Sequence, residues 1–144
     1  MTTPEKRMKQ LVDWSAAIWA GLISGMLFLL YLLTVLPAFT EGLSASQLLL
    51  SILNKDSLNT GGFVLAAVII VIISVLYALV IASLIHRGGL IAGMLLGAVL
   101  GFSIFVINVY VLPFLFYNPL LIVGHVLFGT FVGGIYEGLE VEEF

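Results

Sequence analysis

The sequence contains no cysteine and very little charge, with five basic and eight acidic residues among 144. The missing cysteine excludes disulfides, thiolate metal sites and a cysteine nucleophile. So few basic residues cannot form a surface that neutralises a nucleic-acid backbone, so no nucleic-acid partner is expected. The charges that exist are also confined, to Glu5 through Asp13, Glu41, Lys55 and Asp56, Arg87, and Glu137 through Glu143. Between them the chain is apolar: 62% of residues are hydrophobic and the mean hydropathy is +1.25. The uncharged runs are long enough to cross a hydrocarbon core of roughly 30 Å. The composition therefore describes an integral membrane protein whose main surroundings are the lipid bilayer.

Lys6, Arg7 and Lys9 ahead of an apolar run have the form of a signal peptide's start. The run from Trp14 to Leu36 exceeds the roughly 7 to 15 apolar residues of such a segment, so it is read as a retained span. Four spans are expected, at 14–36, 63–85, 89–112 and 120–136. They make a single all-α membrane domain, a four-helix bundle of two antiparallel hairpins, with the last span the shortest. The connections "HRGG" at 86–89 and "PFLFYNP" at 113–119 are short enough to fold the second span back onto the third and the third onto the fourth. Lys6, Arg7, Lys9 and Arg87 then share one side and Lys55 lies on the other. The excess of basic residues marks the cytoplasmic side, so both termini are expected there. The long first loop contains "LSASQLLLSILNKD", in which Ser44 and Gln47 have the form of a capping box. A short helix at 45–54 follows, placed in the outer membrane interface by its apolar face.

Two segments hint at an internal repeat. "AGLISG" at 20–25 matches "AGMLLG" at 92–97, and "VLP" occurs at 35–37 and again at 111–113. Small residues also recur at every fourth position. Gly89, Gly93, Gly97 and Gly101 form such a stripe on the third span, Ala17, Gly21 and Gly25 on the first, and Gly129 and Gly133 on the fourth. Lipid chains are as apolar as leucine, so helix association must come from close packing and hydrogen bonds, which small faces permit. The second span, 63–85, is β-branched and free of glycine, and is expected to face more lipid.

Within this apolar sequence Asn108 and His125 stand out. At about 100° per residue, Asn108 lies about 20° from Gly101 around the third helix, and His125 shares a face with Gly129, Gly133 and Tyr136. The two positions are symmetric about residue 116.5, near the centre of the connection. They are expected to meet, because an unpaired amide or imidazole in hydrocarbon costs several kcal/mol. Ser103 and Thr130 lie off those faces and should bond their own helix backbones. An intramembrane histidine can also serve chemistry. His125, with Asn108 beside it, is the candidate for binding haem, a chlorophyll-type pigment or a quinone headgroup. His86 lies at the opposite end of the spans and is read as an interface residue. No triad of serine, histidine and acid can assemble, because the acids lie in loops or at the cytoplasmic end. Glu137, Glu140, Glu142 and Glu143 read as a solvated acidic tail. No metal site and no enzyme activity are expected.

The segments "AGMLLG", "NVYVLPFLF", "NP" and "GHVLFGTFVGGIY", covering mainly residues 89–136, together resemble small four-span bacterial inner-membrane protein families of unknown function. The resemblance implies a bacterial inner-membrane location and a four-helix fold, and carries no activity with it. The functional expectation is a non-enzymatic accessory or scaffolding subunit of a larger membrane complex or of a homo-oligomer. A cofactor-binding redox subunit using His125 and a small-solute or proton transporter are the rival classes.

Overall fold

The computed structural model describes residues 12–39, 60–85, 89–111 and 119–141. They form four helices: α1 (Trp14–Phe39), α2 (Thr60–Leu84), α3 (Leu90–Val111) and α4 (Pro119–Val141). Each is long and apolar enough to cross a membrane. In hydrocarbon no water can satisfy backbone amides, so a helix, which bonds every interior amide to itself, is what such sequence must form.

The helix ends follow local chemistry. Asp13 caps α1, its Oδ1 accepting from the Ala16 amide at 3.0 Å, which satisfies one donor that the first turn leaves unpaired. Pro119 opens α4, where its missing N–H costs nothing. Gly89 precedes α3 with φ of +81°, a conformation open to glycine but strained for other residues. A Cβ built on Gly89 would meet nothing within 4 Å. Gly89 thus continues the spacing of the α3 stripe without belonging to its packing face: it makes the turn, and the stripe proper is Gly93, Gly97 and Gly101.

The bundle is built from two antiparallel hairpins, α1 with α2 and α3 with α4. Gly21 and Gly25 of α1 lie against Ala78, Val75 and Ser74 of α2. Gly93, Gly97 and Gly101 of α3 lie against Gly133, Gly129 and the His125 backbone of α4. α4 also packs along α1, and so occupies the centre of the bundle. α2 and α3, although joined by the shortest connection, approach each other at only a few points. The expected packing of the second span on the third is therefore corrected. A short connection fixes the order of two helices along the chain, whereas the small-residue faces decide which backbones come together.

Two further expectations change. The fourth span is the shortest, as expected, at 21 residues (Pro119–Leu139), but α4 itself runs for 23. It continues beyond Tyr136, and Glu137 is buried, only 3% exposed, so Glu137 does not belong to a solvated tail. Nor does α2 face lipid more than its neighbours, since 28% of its spanning window is buried, the same share as in α3 and more than the 22% of α1. Its packing face is Gly62, Ala66, Ile70, Ser74, Ala78 and Ala82, all buried at four-residue spacing. Alanine and serine there do what glycine does on the other helices. The short helix expected at 45–54, the basic residues at 6–9 and 87, and His86 lie outside the described residues.

Candidate functional site

Asn108 and His125 lie together. The Asn108 Nδ2 is 3.2 Å from the His125 Nε2. The His125 Nδ1 lies 2.8 Å from the Leu121 carbonyl oxygen, one turn back on α4. A carbonyl can only accept, so Nδ1 carries the imidazole proton and Nε2 offers a lone pair to the Asn108 amide. The Asn108 Oδ1 in turn accepts from the Tyr77 hydroxyl of α2 at 2.6 Å. The result is a directed chain, Tyr77 to Asn108 to His125 to the Leu121 carbonyl, which joins three helices and uses both imidazole nitrogens. Phe28 of α1 and Phe105 of α3 meet the imidazole at ring-centroid distances of 5.1 and 5.4 Å with T-shaped geometry. With these rings around it, His125 is 6% exposed.

The two residues meet for a reason other than equal depth. Gly97 lies between Gly129 and Gly133, and Gly101 between His125 and Gly129, so opposite residues are symmetric about residue 114 instead of 116.5. The glycine faces, and not the connecting segment, set this register, and it leaves Asn108 nearer the Pro119 end of the bundle than His125. Side chains on a helix lean toward its own N-terminus. On α3 that lean carries Asn108 away from the Pro119 end, and on the antiparallel α4 it carries His125 toward it. The two inclinations converge. α2 runs in the same direction as α4, so Tyr77 leans toward Asn108 as well.

The remaining hydroxyls behave simply. Ser103 donates to the Val99 carbonyl at 2.9 Å, and Thr130 to the Val126 carbonyl at 2.7 Å, each four residues back on its own helix. Tyr31 of α1 donates to the Leu120 carbonyl of α4 at 2.7 Å, tying these helices at the Pro119 end. At the opposite end the Asp13 amide donates to the Tyr136 hydroxyl at 3.2 Å. The Ser24 hydroxyl is fully enclosed and has no partner among the described residues. It lies at a groove of about 190 Å³ between α1 and α4, lined also by Phe28, Tyr31, Gly124, Phe128 and Phe131. No group of three metal-ligating side chains converges among the described residues.

Sequence reasoning found Asn108 and His125 and missed Tyr77. A tyrosine in a span is ordinarily an interfacial residue. The available signal was its place next to Ala78, the packing position of α2 that lies against Gly21 of α1. Glu137 was missed as a buried residue because three more acids follow it within six positions. Its burial rests on Gly93, whose absent side chain leaves the space that the Glu137 side chain fills. Comparisons with family models, with curated proteins and with solved structures return no match.

Proposed function

We propose that this chain is a non-enzymatic multi-pass protein of a bacterial inner membrane, with both termini cytoplasmic, acting as an accessory or scaffolding subunit of a larger membrane complex or of a homo-oligomer. One observation carries the reading: the polar chain at the centre of the bundle is spent on holding helices together. The His125 Nε2 lone pair, which a haem or pigment metal would require, is already taken by Asn108, and Nδ1 is held by the Leu121 carbonyl. Outside this core the helices present large apolar side chains, among them Ile91, Leu95 and Val99 along α3. Such a surface suits lipid and other membrane helices alike.

The test is purification in mild detergent, with native mass spectrometry and an absorption spectrum of the same sample. The expected result is a colourless protein that is self-associated or bound to other membrane subunits. A strictly monomeric protein with no companion would overturn the scaffold reading. A Soret or chlorin band, or a co-purifying quinone, would replace it with the cofactor reading. Proteoliposomes that accumulate a solute or dissipate a proton gradient only when they contain the protein would replace it with the transporter reading.

A further inference from the structure

The seams of this bundle are not alike. Those between α1 and α2 and between α3 and α4 include direct backbone contact, of Gly21 with the Val75 α-carbon, of Gly97 with the Gly129 carbonyl and of Gly101 with the His125 carbonyl. The seam between α1 and α4 is closely packed along the helices and tied at both ends, by Tyr31 on Leu120 and by Asp13 on Tyr136. The seam between α2 and α3 has no such construction. Their backbones hardly approach, and the core on this side depends on longer α3 side chains, Ile104 and Phe105. Among the described residues, Tyr77 and Asn108 make a side-chain hydrogen bond between the two helices. Both residues are half-buried, while His125 behind them is buried.

Backbone contacts are fixed by the covalent chain, whereas a seam filled by side chains can open through rotamer changes. We infer that the α2–α3 seam is a lateral gate, and that the Tyr77–Asn108 hydrogen bond is the latch that keeps it shut over His125. While the latch is closed, Asn108 is held by an acceptor bond on its oxygen and a donor bond on its nitrogen, so its carboxamide cannot turn without breaking both. Releasing the Tyr77 hydroxyl leaves one of these bonds and frees α2 to move away from α3. The α3–α4 hairpin would keep its spacing, because glycine contacts do not depend on the latch. This goes beyond the scaffold reading and does not require it.

The chain has no native cysteine, so paired spin labels can be introduced without background. One pair, at Leu76 and Ile107, spans the gate, and a second, at Leu95 and Phe131, spans the α3–α4 hairpin; all four positions are lipid-exposed. Distances are measured by double electron–electron resonance in nanodiscs. In the otherwise unaltered protein both pairs should give a single narrow distance distribution. Tyr77→Phe, which keeps the ring and removes the hydroxyl, should add a second, longer population across the gate and leave the hairpin pair unchanged. Unchanged distances at both pairs would overturn the latch. Broadening at both pairs would overturn it too, by showing that Tyr77 supports the whole bundle and not one seam. These outcomes do not depend on whether the protein has partners.

Discussion

Gly101 and His125 meet backbone to backbone: a methyl group on the Gly101 α-carbon would overlap the His125 carbonyl carbon and oxygen. His125 therefore does two jobs on one turn of α4. Its backbone sets how closely α3 approaches, and its imidazole accepts a hydrogen bond from the Asn108 amide.

Gly101→Ala should destabilise the protein by about 1–3 kcal/mol, since the neighbour it would press on is backbone and cannot rotate away. Gly97→Ala should behave similarly, because a methyl there would overlap the Gly129 carbonyl. Unfolding midpoints in mixed micelles titrated with a denaturing detergent measure both. Wild-type midpoints would show that α3 and α4 do not pack on these faces.

Gly89→Ala separates two kinds of glycine at the same spacing. Space is free at Gly89 but its φ is +81°, so the substitution should cost about 1–2 kcal/mol through backbone strain alone. Gly89→Asn, which tolerates that conformation better, should recover part of the loss. At Gly97 asparagine should be worse than alanine. A Gly89 position that rejects asparagine more strongly than alanine would place it in a packed face after all.

Asn108→Leu and His125→Leu should each destabilise by about 1–3 kcal/mol, because the first strands the buried His125 imidazole and the second the half-buried Asn108 amide. The double substitution should cost less than the sum of the two, since neither Asn108 nor His125 is then left stranded and the Tyr77 hydroxyl loses its acceptor only once. Strict additivity, read from the same denaturation series, would show that the 3.2 Å contact carries no coupling.

Ser24→Ala should be neutral or stabilising by up to about 1 kcal/mol, as it deletes an enclosed hydroxyl that has no partner among the described residues and keeps the small side chain that the α1 packing needs. A clear loss of stability would mean that the hydroxyl is bonded in the membrane, and would direct attention to the groove beside it.

The membrane spans and the Asn108–His125 pairing were legible in the sequence, because both follow from the cost of leaving polar groups in hydrocarbon. The inter-helix register was not. Asn108 and His125 appear level when counted from the connecting segment, yet the glycine faces slide the helices until Gly97 meets Gly129. The packing face of α2 was hidden for a different reason: Ala66, Ser74, Ala78 and Ala82 carry the four-residue spacing, but a search for glycine passes over them. Glu137 could not be placed from sequence, because only the three-dimensional fit against Gly93 distinguishes it from the acids that follow.

The glycine contacts between α3 and α4 have one more consequence. At Gly97 and Gly129 each residue's carbonyl oxygen occupies the space where the other would carry a side chain, so each α-carbon hydrogen points at an oxygen across the interface. Such Cα–H···O contacts are worth about 0.5–1 kcal/mol each, and they recur at Gly101 and at Gly133. Along these glycines the hairpin is in effect stitched by main-chain atoms, in the manner of a sheet ladder turned on its side. Its cohesion should consequently survive exchange of lipid for detergent and wide changes in bilayer composition, because no atom of the surrounding solvent takes part in it.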